Sequence, residues 1–65
     1  MQGRIRFYNT ARGFGFVECE AGSWFFHKRE VIGEVTLWDT VEFWLEDSAY
    51  PEKPLEAVQV KRWEI

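Results

Sequence analysis

The sequence predicts an all-β protein, either a barrel or a sandwich, and three observations lead to this fold class. Turn signals recur at short intervals along the 65 residues. The segments between them are short and rich in β-branched and aromatic residues, as in small barrels and sandwiches. Aromatic residues make up 18% of the chain, and their large side chains suit a core that must be built from few residues. With no repeat or linker to divide it, the chain is predicted to form a single domain over residues 1–65.

Turn-forming residues divide the chain into five candidate strands. Clusters containing glycine, asparagine or proline mark turns at residues 9–13, 20–23 and 48–54, and Gly33 marks another. Between these turns the predicted strands cover residues 4–8, 14–19, 24–28, 35–46 and 57–63.

The fourth segment, "EVTLWDTVEFWLED", has two interpretations. Helical spacing groups Leu37, Trp38, Val41, Trp44 and Leu45 on one face. Strand alternation instead points Val41, Phe43 and Leu45 inward and Glu42, Trp44 and Glu46 outward. Periodicity leaves both open. The composition favours a strand, because valine, threonine, tryptophan and phenylalanine suit a pleated surface.

The second and third segments carry two aromatic sets on opposite faces. Side chains alternate along a strand, so pairing through the 20–23 turn groups certain residues together. One face is predicted to hold Phe14, Phe16, Phe25 and His27. The other holds Val17, Trp24 and Phe26, with Gly15 leaving room for Trp24 or Phe26. The second set is a candidate core. The first set is a surface patch with Arg12 and Lys28 at its edges, unless further elements bury both faces.

Such a patch carries the side chains expected of a surface that binds single-stranded nucleic acid. Nucleic-acid bases stack on aromatic side chains, including a histidine ring, while lysine and arginine contact the phosphate backbone of the strand. The net charge of −3 opposes this interpretation, but the charge is uneven. Residues 1–29 carry five basic and two acidic residues, whereas residues 30–65 carry three basic and nine acidic residues. The basic half either binds phosphates or is an ordinary solvated surface.

Other classes of function have little support in the sequence. Cys19 is the only cysteine, so an intrachain disulfide and a cysteine-based metal site are excluded. One histidine, one cysteine and no glycine-rich phosphate loop leave no basis for an enzyme, a metal or a cofactor. The charged start "MQGRIRFYN" does not resemble a signal peptide, and no apolar run is long enough for a membrane span. A soluble, cytoplasmic protein that does not contact membranes is expected.

Four segments, in order, resemble the cold-shock domain family. Gly13-Phe14-Gly15-Phe16-Val17 and Phe25-Phe26-His27 resemble its two nucleic-acid-binding strands. The opening Gly3-Arg4-Ile5-Arg6-Phe7-Tyr8-Asn9 resembles the family's Gly-x-Val-Lys-Trp-Phe-Asn. The stretch from Pro54 to Val60 resembles its closing motif. The RNA-recognition motif shares the "GFGF" pattern but needs two helices and a longer chain.

The resemblance implies a five-stranded antiparallel barrel of the oligonucleotide-binding (OB) type. It also implies sequence-tolerant binding of single-stranded RNA or DNA and chaperone-like melting of weak RNA structure. The base-stacking residues implied by position are Phe7, Tyr8, Phe14, Phe16, Phe25 and His27. Arg6 and Arg12 stand where the family commonly has lysine. Phe7 and Tyr8 are neighbours, so placing both on one face requires a bulge or twist.

Three tryptophans and the acidic second half leave alternatives open. Trp38 either replaces a loop aromatic of the family or belongs to the core. Trp44 and Trp63 either cover the barrel ends or contact a partner. An exposed Trp44 among acidic residues would also suit a protein-interaction barrel with weakened or lost nucleic-acid binding. The oligomeric state is open, with a monomer favoured.

Overall fold

The computed structural model describes residues 1–48, 52 and 55–63. Most of the predicted 48–54 turn and the start of the closing motif therefore lie outside the described residues. Within them the chain is all-β. The strands are β1 (Gln2–Asn9), β2 (Phe14–Cys19), β3 (Gly22–His27), β4 (Val31–Ile32), β5 (Thr40–Asp47) and β6 (Leu55–Arg62), and a 3₁₀ turn (Lys28–Glu30) joins β3 to β4. No helix among the described residues is long and apolar enough to span a membrane.

Five of these strands form a closed barrel, which confirms the predicted OB-type fold class. The ring runs from β1 to β2, β3, β6 and β5, and back to β1. Four of its pairings are antiparallel. The β3–β6 pairing is parallel, because an odd number of strands in a closed ring cannot all run opposite to both neighbours. The short β4 pairs with β6 outside this ring.

The strand interpretation of the fourth segment is confirmed for its second half, and the helical alternative is wrong. β5 covers Thr40–Asp47, whereas residues 35–39 form a loop and turn. Val41 and Phe43 are fully buried, and Leu45 packs against the core. Trp44 points outward and is 59% exposed. The alternation predicted for this strand is therefore present.

The barrel interior is filled by apolar residues from the inner faces of the strands. Its largest fully buried side chains are Phe26, Phe43, Ile5, Val17, Val41 and Val60. Trp24 is partly buried and packs against this cluster. The core set predicted for β2 and β3 therefore faces the barrel interior.

Candidate nucleic-acid interface

Three adjacent strands carry aromatic side chains on the outer surface of the barrel. Phe7 on β1, Phe16 on β2 and Phe25 on β3 are direct cross-strand neighbours. In the next row Phe14 pairs with His27. Paired residues project from the same side of a sheet. These five side chains form the aromatic face of the barrel.

The rings of the aromatic face contact one another in a continuous layer. Phe14 lies 5.7 Å from both Phe7 and Phe25, measured between ring centroids. Phe16 lies 5.9 Å from Phe25, and His27 lies 4.7 Å from Phe25. Phe7 is 45% exposed and the other four side chains are half-buried. Each ring is thus supported at its edges and still reachable from solvent.

A bulge in β1 places Phe7 on this face. The β1–β2 register shifts between Ile5 and Phe7, with Ile5 opposite Val17 and Phe7 opposite Phe16. Without the extra residue, Phe7 would follow Ile5 into the interior, since side chains alternate. The same shift turns Tyr8 inward, where its ring centroid lies 5.4 Å from that of Phe26. The structure therefore separates Phe7 and Tyr8, which the resemblance groups together.

Gly15 allows β2 to lie close to the core beneath the aromatic face. A Cβ atom built at Gly15 would lie 2.6 Å from Cζ of Phe26 and would also collide with the carbonyl oxygen of Phe7. A side chain here would therefore displace the fully buried Phe26 or the neighbouring strand. Of the two residues predicted to need this space, Phe26 is the one that occupies it.

The turn before β2 places two basic residues at the Phe14–His27 end of the aromatic face. Gly13 adopts a φ of +78° and its backbone N–H donates to the carbonyl of Asn9 at 2.8 Å. Its own carbonyl accepts a hydrogen bond from the Lys28 backbone N–H at 2.8 Å. Arg12 and Lys28, both exposed, are thereby held beside this end of the face. Their positions agree with the predicted edge residues.

Arg6 precedes Phe7 on β1, and Trp38 lies against the same strand. The Arg6 guanidinium donates to Glu18 Oε1 at 2.9 Å and lies 4.9 Å from the centroid of the Trp38 ring. Trp38 is 54% exposed, and its backbone N–H donates to the Ile5 carbonyl at 2.8 Å. Trp38 is therefore a surface residue and does not belong to the core.

The sequence patterns did not indicate the acidic border of the aromatic face. Glu56 on β6 pairs with Phe25 across the parallel seam and with Glu46 on β5. Glu56 is 8% exposed, and its Oε2 accepts no hydrogen bond from any described residue. The face is therefore basic at its Arg12–Lys28 end and acidic along β6. Glu56 lies beside the aromatic face because β6 pairs with β3, and this strand order is not visible in the local sequence.

Together these features define a small closed β-barrel with an aromatic cluster on its surface, an arrangement compatible with nucleic-acid binding. Among the described residues, no three His, Cys, Asp or Glu side chains come together to hold a metal ion. The chain matches no known family model, and a comparison with curated proteins finds no significant sequence match.

Proposed function

We propose that the protein binds single-stranded RNA or DNA with little sequence preference, by stacking bases on the aromatic face. The observation that carries the proposal is the layer of five contacting rings that stays open to solvent on β1, β2 and β3. Stacking on such rings contributes about 1–3 kcal/mol per base, and every base has a flat surface to offer.

The charges around the aromatic face suggest a path for the phosphate backbone. Phosphates are attracted to Arg12 and Lys28 at one end and to Arg6 beside Phe7. They are repelled by Glu56 on β6 and by Glu46, its partner on β5. The backbone therefore follows β1 and the Gly13 turn, while its bases lie over the rings. Arg6 contributes less than a free arginine, because it already pairs with Glu18.

The same proposal places the chain with the cold-shock domains, as a divergent member that acts as an RNA chaperone or regulator in the cytoplasm. The closed barrel and the position of the aromatic face on its first three strands support this relationship. Phe7 stands where that family has a tryptophan, so its first stacking platform is smaller. A preference for pyrimidine-rich strands belongs to the proposal.

A titration with a short oligo-dT tests the proposal. Binding is followed at low salt by calorimetry and by tryptophan fluorescence, to which the exposed Trp38 contributes. Phe16→Ala is expected to weaken binding by about 1–3 kcal/mol with little loss of stability, because Phe16 lies on the outer surface. Its matched control is Phe26→Ala, which removes a buried ring and costs about 3–5 kcal/mol of stability.

Two outcomes would contradict the proposal. The first is a folded wild-type protein that gives no response to oligo-dT at low salt. The second is a Phe16→Ala variant that binds as well as the wild type, which would show that the aromatic face is not the binding surface. The first result would favour the protein-interaction barrel, and the second would move the binding surface to another part of the barrel.

A further inference from the structure

A second apolar feature lies on strands that contribute no ring to the aromatic face. Trp44 on β5 is the most exposed large apolar side chain among the described residues. Its cross-strand neighbour on β6 is Val58, which is buried yet lies outside the cluster that fills the barrel. An outward strand position usually carries a polar residue when it faces only water. Trp44 therefore needs an explanation separate from nucleic-acid binding.

Acidic residues surround Trp44 on the same outer surface. Glu42 and Glu46 lie two positions before and after it along the strand, so all three side chains project outward. Glu56 lies directly opposite Glu46, a like-charge pairing that disfavours the isolated sheet. Lys61 is opposite Glu42, but neither Glu42 nor Glu46 forms an ion pair within the described part of the chain. A cation bound here would relieve this repulsion.

The chain itself contains an occupied example of the arrangement that these residues would form with a cation. At Arg6 one guanidinium lies over the Trp38 ring and also pairs with Glu18. Tryptophan is the strongest cation–π partner among the aromatic side chains. Arginine adds planar, bidentate hydrogen bonding to carboxylates. The Trp44 surface offers the same ring and carboxylate groups without the arginine.

We propose that the surface formed by Trp44, Glu42 and Glu46 is a docking site for an arginine-rich protein segment. One arginine of the segment lies over the Trp44 ring and its guanidinium pairs with the flanking carboxylates. The occupant is a basic segment because the acidic residues repel the phosphates of a nucleic acid. The site lies across β6 from the aromatic face and contains none of its rings, so the protein can hold a nucleic acid and a basic partner together.

A titration of the full chain with a peptide of alternating glycine and arginine tests this site. Trp44→Leu keeps an apolar side chain and removes the aromatic ring, and is expected to weaken peptide binding about 2- to 5-fold. The double variant Glu42→Gln/Glu46→Gln is expected to weaken binding further and to reduce its salt dependence. In both variants oligo-dT affinity should not fall.

Matched controls separate this site from general charge attraction and from unfolding. Glu20→Gln/Glu34→Gln removes the same charge at two exposed positions outside the surface, and Trp63→Leu removes another exposed tryptophan. Both are expected to bind the peptide like the wild type. Thermal unfolding checks that every variant is folded.

Three results would overturn the docking site. One is equal weakening by the Glu42/Glu46 and Glu20/Glu34 pairs, since the attraction would then be unspecific. Another is a Phe16→Ala variant that loses as much peptide affinity as Trp44→Leu, which would place the peptide on the aromatic face. The last is a wild-type dimer that Trp44→Leu converts to a monomer, because the surface would then join two copies of the chain. Oligo-dT binding is measured in its own titration. A negative result for the docking site therefore does not contradict the proposal of nucleic-acid binding.

Discussion

Gly15 is the residue on which the close packing of β2 against the core depends. Substituting Gly15→Ala places a methyl group 2.6 Å from the ring of Phe26, which is fully buried and has little room to move. We expect a loss of about 1–3 kcal/mol of stability from this overpacking, measured by chemical denaturation.

Gly33 provides the comparison for Gly15. It has a positive φ of +76°, but a Cβ there would meet no atom within 4 Å. Gly33→Ala should therefore cost only the strain of its backbone conformation, about 1 kcal/mol. A Gly15→Ala variant as stable as the wild type would contradict the close packing of Phe26 beneath β2.

Glu56 is a second residue whose environment leads to a prediction about stability. Its carboxyl group is nearly buried, and Oε2 has no donor among the described residues. A buried polar group without a partner is destabilising. Glu56→Met, which keeps the length of the side chain, is expected to stabilise the fold by about 1–3 kcal/mol in urea denaturation. Glu20→Met in an exposed turn should change stability by less than about 0.5 kcal/mol. A Glu56→Met variant less stable than the wild type would contradict this prediction.

At the scale of the strand, the bulge in β1 assigns different roles to two neighbouring aromatic residues. Phe7 lies on the aromatic face, whereas Tyr8 packs against Phe26. Phe7→Ala is therefore expected to weaken oligo-dT binding by about 1–3 kcal/mol with little change in stability. Tyr8→Ala should lower the unfolding temperature and leave the affinity of the folded protein nearly unchanged. Equal effects of the two variants on affinity would show that both rings stack on bases.

The five barrel strands and most of their inner and outer faces were predictable, because alternation is a local property of the chain. The second strand, 14–19, was predicted at its observed bounds, and the inward set on β5 was also predicted. The bulge was not predictable from alternation, since it changes the register of Phe7 by one residue without a turn signal. Val31–Ile32 was missed because it is too short to show a period.

The composition of the site was only partly predictable, because some of its neighbours come from distant strands. Four members of the aromatic face follow from the pairing of two adjacent segments, and Phe7 came from the family resemblance. Glu56 reaches the face through barrel closure, which no local pattern indicates. The exposed position of Trp38 depends on a positive φ and on a hydrogen bond to Ile5, neither of which its sequence context reveals.

For the whole molecule, the uneven charge predicts a modest salt dependence of nucleic-acid binding. Three basic side chains, Arg6, Arg12 and Lys28, border the aromatic face. For a single strand, three phosphate contacts give a slope of at most about −2 in a plot of log K against log salt. Lys28→Gln is expected to reduce the slope by about 0.7, while Lys61→Gln on β6 should leave it unchanged. If both substitutions reduce the slope equally, the phosphate backbone of the bound strand does not follow the Arg12–Lys28 end of the aromatic face.

The closure of the barrel through β6 also has a consequence for how the protein is made. Every residue of the aromatic face lies within the first 27 residues, but the seam that supports β3 forms only with Leu55–Arg62. Contacts between segments this far apart in sequence form late, because a long loop must close first. During synthesis the emerging chain therefore carries its exposed phenylalanines before it has a barrel to hold them. An RNA strand present at that stage would meet the rings on an open sheet.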